Sequence, residues 1–140
     1  MATTRFDFTG RVVVVTGAAN GIGAACARLF AASGAKLALW DVDAAASQAL
    51  AAELGADARS MRCDVASRAE VEAATAATLA AFGRIDVLIN NAGIFRAADF
   101  LDIGEADWDA VIGVNLKGPS SSARRSRARC RGRAAARSST

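Results

Sequence analysis

Tyrosine and histidine are absent from this chain of 140 residues, and cysteine is scarce. The three cysteines, Cys26, Cys63 and Cys130, are odd in number and lie far apart, without the paired spacing of a zinc ligand set. This distribution argues against both a disulfide framework and a structural zinc site. We therefore expect a protein of a reducing cytoplasm that holds no metal.

Long hydrophobic runs are absent as well. Residues 1–8 contain no apolar core of a leader peptide, and no stretch approaches the length needed to cross a bilayer. Since 53% of its residues are hydrophobic, the chain can still bury a core, as one domain or as part of a larger one. We expect a cytoplasmic protein without a membrane span.

Acidic residues are missing from the last part of the chain. Residues 1–118 carry 10 Lys and Arg against 14 Asp and Glu, a net charge of −4, whereas residues 119–140 carry 7 Arg and no acid, a net charge of +7. The second segment also lacks Val, Ile, Leu, Phe and Met, so it cannot bury a hydrophobic face. We predict a folded domain over 1–118 and a disordered basic tail over 119–140.

Short apolar runs alternate with helical patterns through the first segment. The patterns predict strands over 11–15, 36–40, 59–63 and 86–90, and helices over about 21–32, 44–54, 67–82 and 107–116. Ser67-Arg-Ala-Glu70 is a capping-box sequence that starts the third of these helices, and Gly83 is its predicted C-cap. Such alternation is typical of a parallel sheet with helices on both faces. We therefore predict an α/β fold, an incomplete Rossmann-like doubly wound sheet of about four strands, with its ligand site at the carboxyl ends of the strands.

A glycine-rich segment, Thr-Gly-Ala-Ala-Asn-Gly-Ile-Gly at 16–23, joins the first predicted strand to the first predicted helix. Glycine permits a sharp turn and lets a ligand approach the backbone closely. A helix that begins here offers free N–H groups and the positive end of its dipole to an anion. In this strand–turn–helix context, the segment predicts a site for the pyrophosphate of a dinucleotide cofactor. The alternative is a glycine-rich turn without a ligand.

Asp41 ends the second predicted strand, at the place where dinucleotide-binding folds carry an acid. A carboxylate there hydrogen-bonds the ribose hydroxyls and repels the 2′-phosphate of NADP. Asp41 therefore predicts NAD as the cofactor and makes NADP the less favoured one. A solvated acid at the end of a strand is the alternative.

Four motifs occur in order along the chain: the glycine-rich segment 16–23, Cys63-Asp64-Val65, Asn90-Asn-Ala-Gly93 and Val114-Asn115-Leu-Lys-Gly118. As a set, they resemble the short-chain dehydrogenase/reductase family over about residues 8–118. The resemblance implies an NAD(P)-dependent oxidoreductase that transfers hydride between a nicotinamide and an alcohol or ketone. It also implies a homo-oligomer for a full-length form, and no specific nucleic acid.

The same resemblance assigns roles to residues. It implies a cofactor-binding set of Gly17, Asn20, Gly21, Ile22, Gly23, Asp41, Asp64, Val65, Asn91, Ala92 and Gly93. Within this set the glycine-rich segment lines the pyrophosphate, and Asp64 and Val65 flank the adenine. Asn115 is the only member of the family's catalytic group that this chain retains. Plainer roles stay open: Asp64 as a helix cap, Asn91 as a turn former and Asn115 as a surface residue.

The rest of the family's catalytic group is missing from the chain. The family's chemistry uses a tyrosine as general acid and base, a lysine four residues later that lowers the pKa of the tyrosine, and a serine that polarises the carbonyl. The chain has no tyrosine, and Lys36 and Lys117 are its only lysines. We therefore predict that this chain is a truncated and catalytically inactive form.

The composition of the tail suggests a shift of reading frame near Gly118. If the Ser, Arg and Ala codons are rich in G and C, reading one base back turns the serines at 120–122 and Ser126 into Phe, Leu, Ile or Val. In the same frame residues 134–136 can become glycines, and residues 137–140 can read Ala-Ile-Val-Asn. The shifted frame thus describes an apolar helix, a glycine turn and the start of a strand, and the coding DNA tests this hypothesis.

Two other functions stay open for the chain as written. The first is an NAD-binding module whose arginine tail holds nucleic acid or an anionic membrane through salt-dependent attraction. The second is a non-functional fragment, in which the fourth strand leaves an unpaired edge that invites aggregation.

Overall fold

A computed structural model describes the backbone of residues 6–135 and the side chains of residues 6–126. The regular elements are β1 (Val12–Thr16), α1 (Gly21–Ala32), β2 (Lys36–Asp41), α2 (Ala44–Leu54), β3 (Ala58–Arg62), α3 (Arg68–Phe82), β4 (Val87–Ile89), α4 (Glu105–Ile112) and α5 (Gly118–Ala135). A 3₁₀ turn, Phe100–Asp102, precedes α4, and a π-helical segment, Gly113–Lys117, joins α4 to α5. Within the described residues no helix is long and apolar enough to cross a bilayer.

The four strands form one parallel sheet in the order β3-β2-β1-β4. The chain runs outward from β1 to β3 and then crosses back to place β4 on the other side of β1. In open α/β sheets, ligands bind in the crevice at such a reversal, beyond the carboxyl ends of the strands. The predicted α/β, Rossmann-like sheet is therefore confirmed, and its topology brings the ends of β1 and β4 together.

The core lies on both faces of the sheet, because β1 is buried along its whole length. Val13 and Val15 pack with Leu37 and Leu39 in one cluster, whereas Val14 belongs to the cluster on the opposite face. Alternate residues of a strand point to opposite faces, so a continuous run of valines serves both layers. The buried β1 thereby holds the turn that follows it in a rigid position.

Several element boundaries differ by a few residues from the sequence prediction. Strand β1 continues through Thr16, one residue further than predicted, whereas β2 ends at Asp41 as predicted. Helix α4 ends at Ile112, where the predicted helix continues to about residue 116. The reason is the widened turn at Gly113–Lys117, which keeps the chain helical while changing the hydrogen-bond spacing.

Helix α5 occupies part of the segment for which the sequence predicts disorder. Its first residue, Gly118, packs against Val65, and its small side chains Ser122 and Ser126 are buried. Serine and arginine tolerate a helix, and short serine side chains allow α5 to contact α3 and β4. In the first turns of α5 the structure is therefore helical, where the sequence predicts disorder. Residues 136–140, and all side chains after Ser126, lie outside the described residues, so the function of the tail as a basic arm stays a prediction.

Candidate functional site

A cavity of about 360 Å³ opens where β1, β2 and β4 end. Of the eleven residues predicted to bind the cofactor, nine line it: Gly17, Asn20, Gly21, Asp41, Asp64, Val65, Asn91, Ala92 and Gly93. Its other lining residues are Val42, Cys63, Ile94 and Val114. A wider hollow of about 650 Å³ between α3 and α5 contains none of the predicted residues. The sheet therefore collects residues from four separate motifs around one space.

The glycine-rich turn is held in a shape that only glycine permits. Gly17 and Gly21 have φ values of 62° and 53°, in the left-handed region. A Cβ atom on Gly23 would lie 2.0 Å from the carbonyl oxygen of Gly17, so α1 begins directly against the turn. Because Gly23 has no side chain, α1 can begin this close to the turn, and its first residue, Gly21, lines the cavity.

The first N–H groups of α1 are available for an anion. Those of Gly21, Ile22 and Gly23 have no acceptor among the described residues. The side chain of Ile22 is 76% exposed and lies outside the cavity, and Gly23 also does not line it. These two predicted residues can therefore contribute only through their backbone and through the close packing of α1.

A hydrogen-bonded clamp between Thr16 and Asn91 joins the ends of β1 and β4. Asn91 Nδ2 donates to the carbonyl oxygens of Thr16 at 3.1 Å and Gly17 at 3.0 Å. In return Thr16 Oγ1 accepts from the N–H groups of Asn91 at 3.1 Å and Ala92 at 3.0 Å. The sequence prediction assigned no role to Thr16; its place at the head of the glycine-rich segment was the signal that could have found it.

Asp41 is fixed between the glycine-rich turn and the start of α2. Its Oδ2 accepts from the N–H of Ala19 at 2.8 Å, and its Oδ1 accepts from the N–H of Asp43 at 2.9 Å. Both bonds come from the backbone, so the carboxylate has little freedom to turn away from the cavity. The end of β2 thus presents a fixed negative charge.

The motif Cys63-Asp64-Val65 forms the wall of the cavity that follows β3. Cys63 is buried, and burial raises the pKa of its thiol to about 12, so the wall there is neutral. Asp64 Oδ1 accepts from the N–H of Ala66 at 2.9 Å, and the Asp64 N–H donates to Glu70 Oε2 at 2.8 Å. Sequence reasoning placed Glu70 only in a helix cap and missed this contact.

Asn115 lies in the π-helical segment and binds the backbone of one residue. Its Oδ1 accepts from the N–H of Ile94 at 2.9 Å, and its Nδ2 donates to the Ile94 carbonyl at 2.9 Å. Ile94 lines the cavity, whereas Asn115 does not. Asn115 therefore acts on the cavity through the loop after β4, which it holds at Ile94.

Comparison with known sequences gives a family and several relatives. A profile of the family described as short chain dehydrogenase matches residues 11–128, past the end of the motifs at Gly118. D-threitol dehydrogenase of Mycolicibacterium smegmatis is 48% identical over 118 residues, which are 81% of this chain and 45% of that protein. Galactitol 2-dehydrogenase of Agrobacterium fabrum is 42% identical over 109 residues, which are 78% of this chain and 43% of that protein.

Solved structures show the same fold. A short-chain dehydrogenase/reductase of the glucose/ribitol dehydrogenase type from Brucella melitensis superposes with a TM-score of 0.85 at 39% identity, covering 88% of this chain and 53% of that one. A short-chain dehydrogenase/reductase from Burkholderia phymatum, solved in complex with NAD, gives a TM-score of 0.81 at 39% identity, covering 85% of this chain and 43% of that one.

The chain spans about half the length of the curated relatives that it matches. The family match nevertheless covers most of the chain, and it includes all four motifs around the cavity. The parallel sheet, the glycine-rich turn and the matched sequence agree with one another. The chain therefore belongs to the short-chain dehydrogenase family of oxidoreductases.

Proposed function

We propose that the 140-residue chain binds NAD(H) in the cavity at the ends of β1, β2 and β4, and that it does not catalyse hydride transfer. The observation that carries the binding proposal is the close approach of α1 to the glycine-rich turn, where a Cβ on Gly23 would lie 2.0 Å from the Gly17 carbonyl oxygen. It leaves the N–H groups at the start of α1 open toward a phosphate, where the helix dipole favours negative charge. When bound, the nicotinamide supplies the carbon that accepts or donates a hydride.

The other lining residues fit the remaining parts of the cofactor. Asp41 would accept hydrogen bonds from the adenosine ribose, and Asp64 with Val65 would flank the adenine, as the family resemblance implies. Asn91 would hold the turn beneath the pyrophosphate. Asn115 would position Ile94 beside the nicotinamide half, which is a supporting role rather than contact with reacting atoms.

Asp41→Asn is expected to reduce the preference for NAD over NADP. The fixed Asp41 carboxylate would repel a 2′-phosphate, and one such interaction is worth about 1–3 kcal/mol, or roughly a 5- to 150-fold ratio of dissociation constants. We expect the variant to lose most of this ratio, mainly through tighter binding of NADP. Isothermal titration calorimetry with NAD and with NADP measures the two dissociation constants and hence their ratio.

Asp43→Asn is the matched control, since it removes the same charge two residues away. Asp43 caps α2 through the N–H of Ala46, and asparagine retains that capping ability. Asp43 does not line the cavity, so the ratio should stay at the wild-type value. Equal ratios for Asp41→Asn and the wild type would show that Asp41 does not select the cofactor, while no saturable binding by the wild type would refute the binding proposal itself.

The wild-type chain is expected to show no turnover with NAD and a panel of polyols and other secondary alcohols. It contains no tyrosine, and loss of the general acid and base removes a factor of about 100 to 10,000 in rate, before loss of the substrate-binding residues is counted. The production of NADH is followed by absorbance, with a full-length relative as the positive control. NADH formation by chain purified from a host that lacks such relatives would contradict this expectation.

We further propose that the tail arises from a frameshift near Gly118. Buried side chains in α5 support this: Ser122 and Ser126 lie in the interior, and neither hydroxyl has a hydrogen-bond partner among the described residues. These are two of the positions at which the shifted frame encodes Phe, Leu, Ile or Val, residues that fit such an environment. The coding DNA downstream of codon 118 tests the proposal. A shifted frame that stops before a Tyr-x-x-x-Lys sequence would refute it.

A further inference from the structure

Glu70 contacts the cavity wall from behind. It lies in the first turn of α3 and does not itself line the cavity. Its Oε2 accepts from the N–H of Asp64 at 2.8 Å and from Arg62 Nη1 at 2.6 Å. One carboxylate oxygen therefore ties the end of β3 and the loop after it to the start of α3.

This arrangement differs from the capping box that the sequence Ser67 to Glu70 predicts. The first half of the box forms, since Ser67 Oγ accepts from the Glu70 N–H at 3.4 Å. In the second half, the glutamate would accept from the Ser67 N–H. Here the Ser67 N–H donates to the carbonyl oxygen of Asp64 at 3.0 Å, and the Glu70 carboxylate binds the Asp64 N–H instead.

Asp64 is consequently held at three points. Its N–H is bound by Glu70, its carbonyl oxygen by Ser67, and its Oδ1 by the N–H of Ala66. Within the described part of the chain, its second carboxylate oxygen, Oδ2, has no donor. Asp64 lines the cavity, and this second oxygen is the remaining hydrogen-bond acceptor of its carboxylate.

Glu70 remains ionised while it holds this loop. The hydrogen bond from the Asp64 N–H, followed by the contact with Arg62, lowers the pKa of its carboxyl below the usual range. A charged acceptor binds a backbone N–H more strongly than a neutral one. The contact is therefore present throughout the neutral pH range.

We propose that Glu70 is a positioning residue that sets Asp64 to recognise the amino edge of the adenine ring. This inference rests on the proposed binding of NAD. The exocyclic amino group is the hydrogen-bond donor on that edge, and the free oxygen of Asp64 is its complement. In a hypoxanthine ring a carbonyl oxygen replaces this amino group, so the same position presents an acceptor to Asp64.

The test compares NAD with nicotinamide hypoxanthine dinucleotide by calorimetry. The wild type is expected to bind NAD at least about 10-fold more tightly, which is the lower end of the range for one hydrogen bond to a charged group. Glu70→Ala should reduce this ratio to about 2-fold or less, because Asp64 loses the bond that orients it. Glu70→Gln should keep most of the ratio, since its amide oxygen can accept from the same N–H.

Two further variants separate positioning from general stability. Glu72→Ala removes another ion-paired carboxylate of α3, which binds Arg68 and Arg125 and not the loop, and it should leave the ratio unchanged. If Glu70→Ala does not fold, Glu70→Asp keeps the charge in the first turn but shortens the reach to Asp64, and it should also lower the ratio. Thermal melts are recorded for every variant.

The outcomes distinguish this inference from the proposed function. If the wild type binds neither dinucleotide, the proposed function fails. If the wild type prefers NAD and the Glu70 variants that fold keep that preference, the positioning role is refuted. If the wild type binds both dinucleotides equally, Asp64 does not read the amino group and the inference is also overturned. A lower ratio in Glu70→Ala or Glu70→Asp, with retention in Glu70→Gln and Glu72→Ala, supports it.

Discussion

Gly23→Ala is expected to abolish measurable binding of NAD(H) and to destabilise the fold. The new Cβ would lie 2.0 Å from the Gly17 oxygen and 2.6 Å from Asn91 Nδ2, so backbone atoms and not only a flexible side chain must move. Relief of this clash moves α1 away from the turn and breaks the Asn91 bond to Gly17. Overpacking of this kind costs about 1–3 kcal/mol of unfolding free energy. We expect at least a roughly 100-fold loss of affinity, because the displaced helix start no longer faces the phosphates.

Gly104→Ala provides the matched control for this substitution. Gly104 has φ −74° and ψ 147°, a conformation open to any residue, and a Cβ there would meet no atom of the described residues within 4 Å. Its thermal melt and its affinity for NAD should equal those of the wild type. Gly23→Ala with wild-type affinity would show that the contact with Gly17 does not shape the binding site.

The double variant Ser122→Ala, Ser126→Ala is expected to be more stable than the wild type by about 2–6 kcal/mol. Within the part of the chain that the structure describes, both hydroxyls are buried without a hydrogen-bond partner, and each such group costs about 1–3 kcal/mol. Alanine removes the hydroxyl without adding volume, and it has a higher helix propensity than serine. Urea denaturation measures the change, which should appear in the midpoint and leave the slope unaltered.

Ser120→Ala separates the effect of burial from that of helix propensity. Ser120 lies in α5 but is exposed, so its substitution should contribute only the propensity difference of about 0.5 kcal/mol. If the unfolding free energy of the double variant rises by no more than twice this control value, the two buried hydroxyls do not destabilise the fold. The packing of α5 then no longer supports the frameshift proposal. A larger gain shows that α5 packs an interior face that serine does not suit.

The regular elements could be predicted because local patterns determine them. The valine run of β1 is apolar at every position, which is what a parallel strand buried on both faces requires. Gly83 ends α3 in the left-handed conformation, with φ 75°, as its position after the helical pattern predicts. In both cases the residues that predict the element belong to that element or lie directly beside it in the sequence.

The site could be predicted only in part from the same signals. Nine of the predicted residues line one cavity, because the motifs follow strands whose ends meet. The clamp of Thr16 and Asn91 spans 75 residues of sequence, and no local pattern pairs the two. Glu70 was likewise assigned to a helix cap, although its carboxylate binds the loop before the helix.

The sequence by itself determined the strand–helix alternation, the glycine-rich turn, the acid at Asp41 and the absence of tyrosine, because each is a property of residue type and short-range spacing. The tertiary structure decided which of several acceptors each polar side chain uses. It turned Glu70 toward Asp64, held Asn115 on Ile94 and buried two serines of α5. The physical reason is that hydrogen-bond choice and burial depend on what other elements bring within about 3 Å, a distance that pairs residues far apart in the chain.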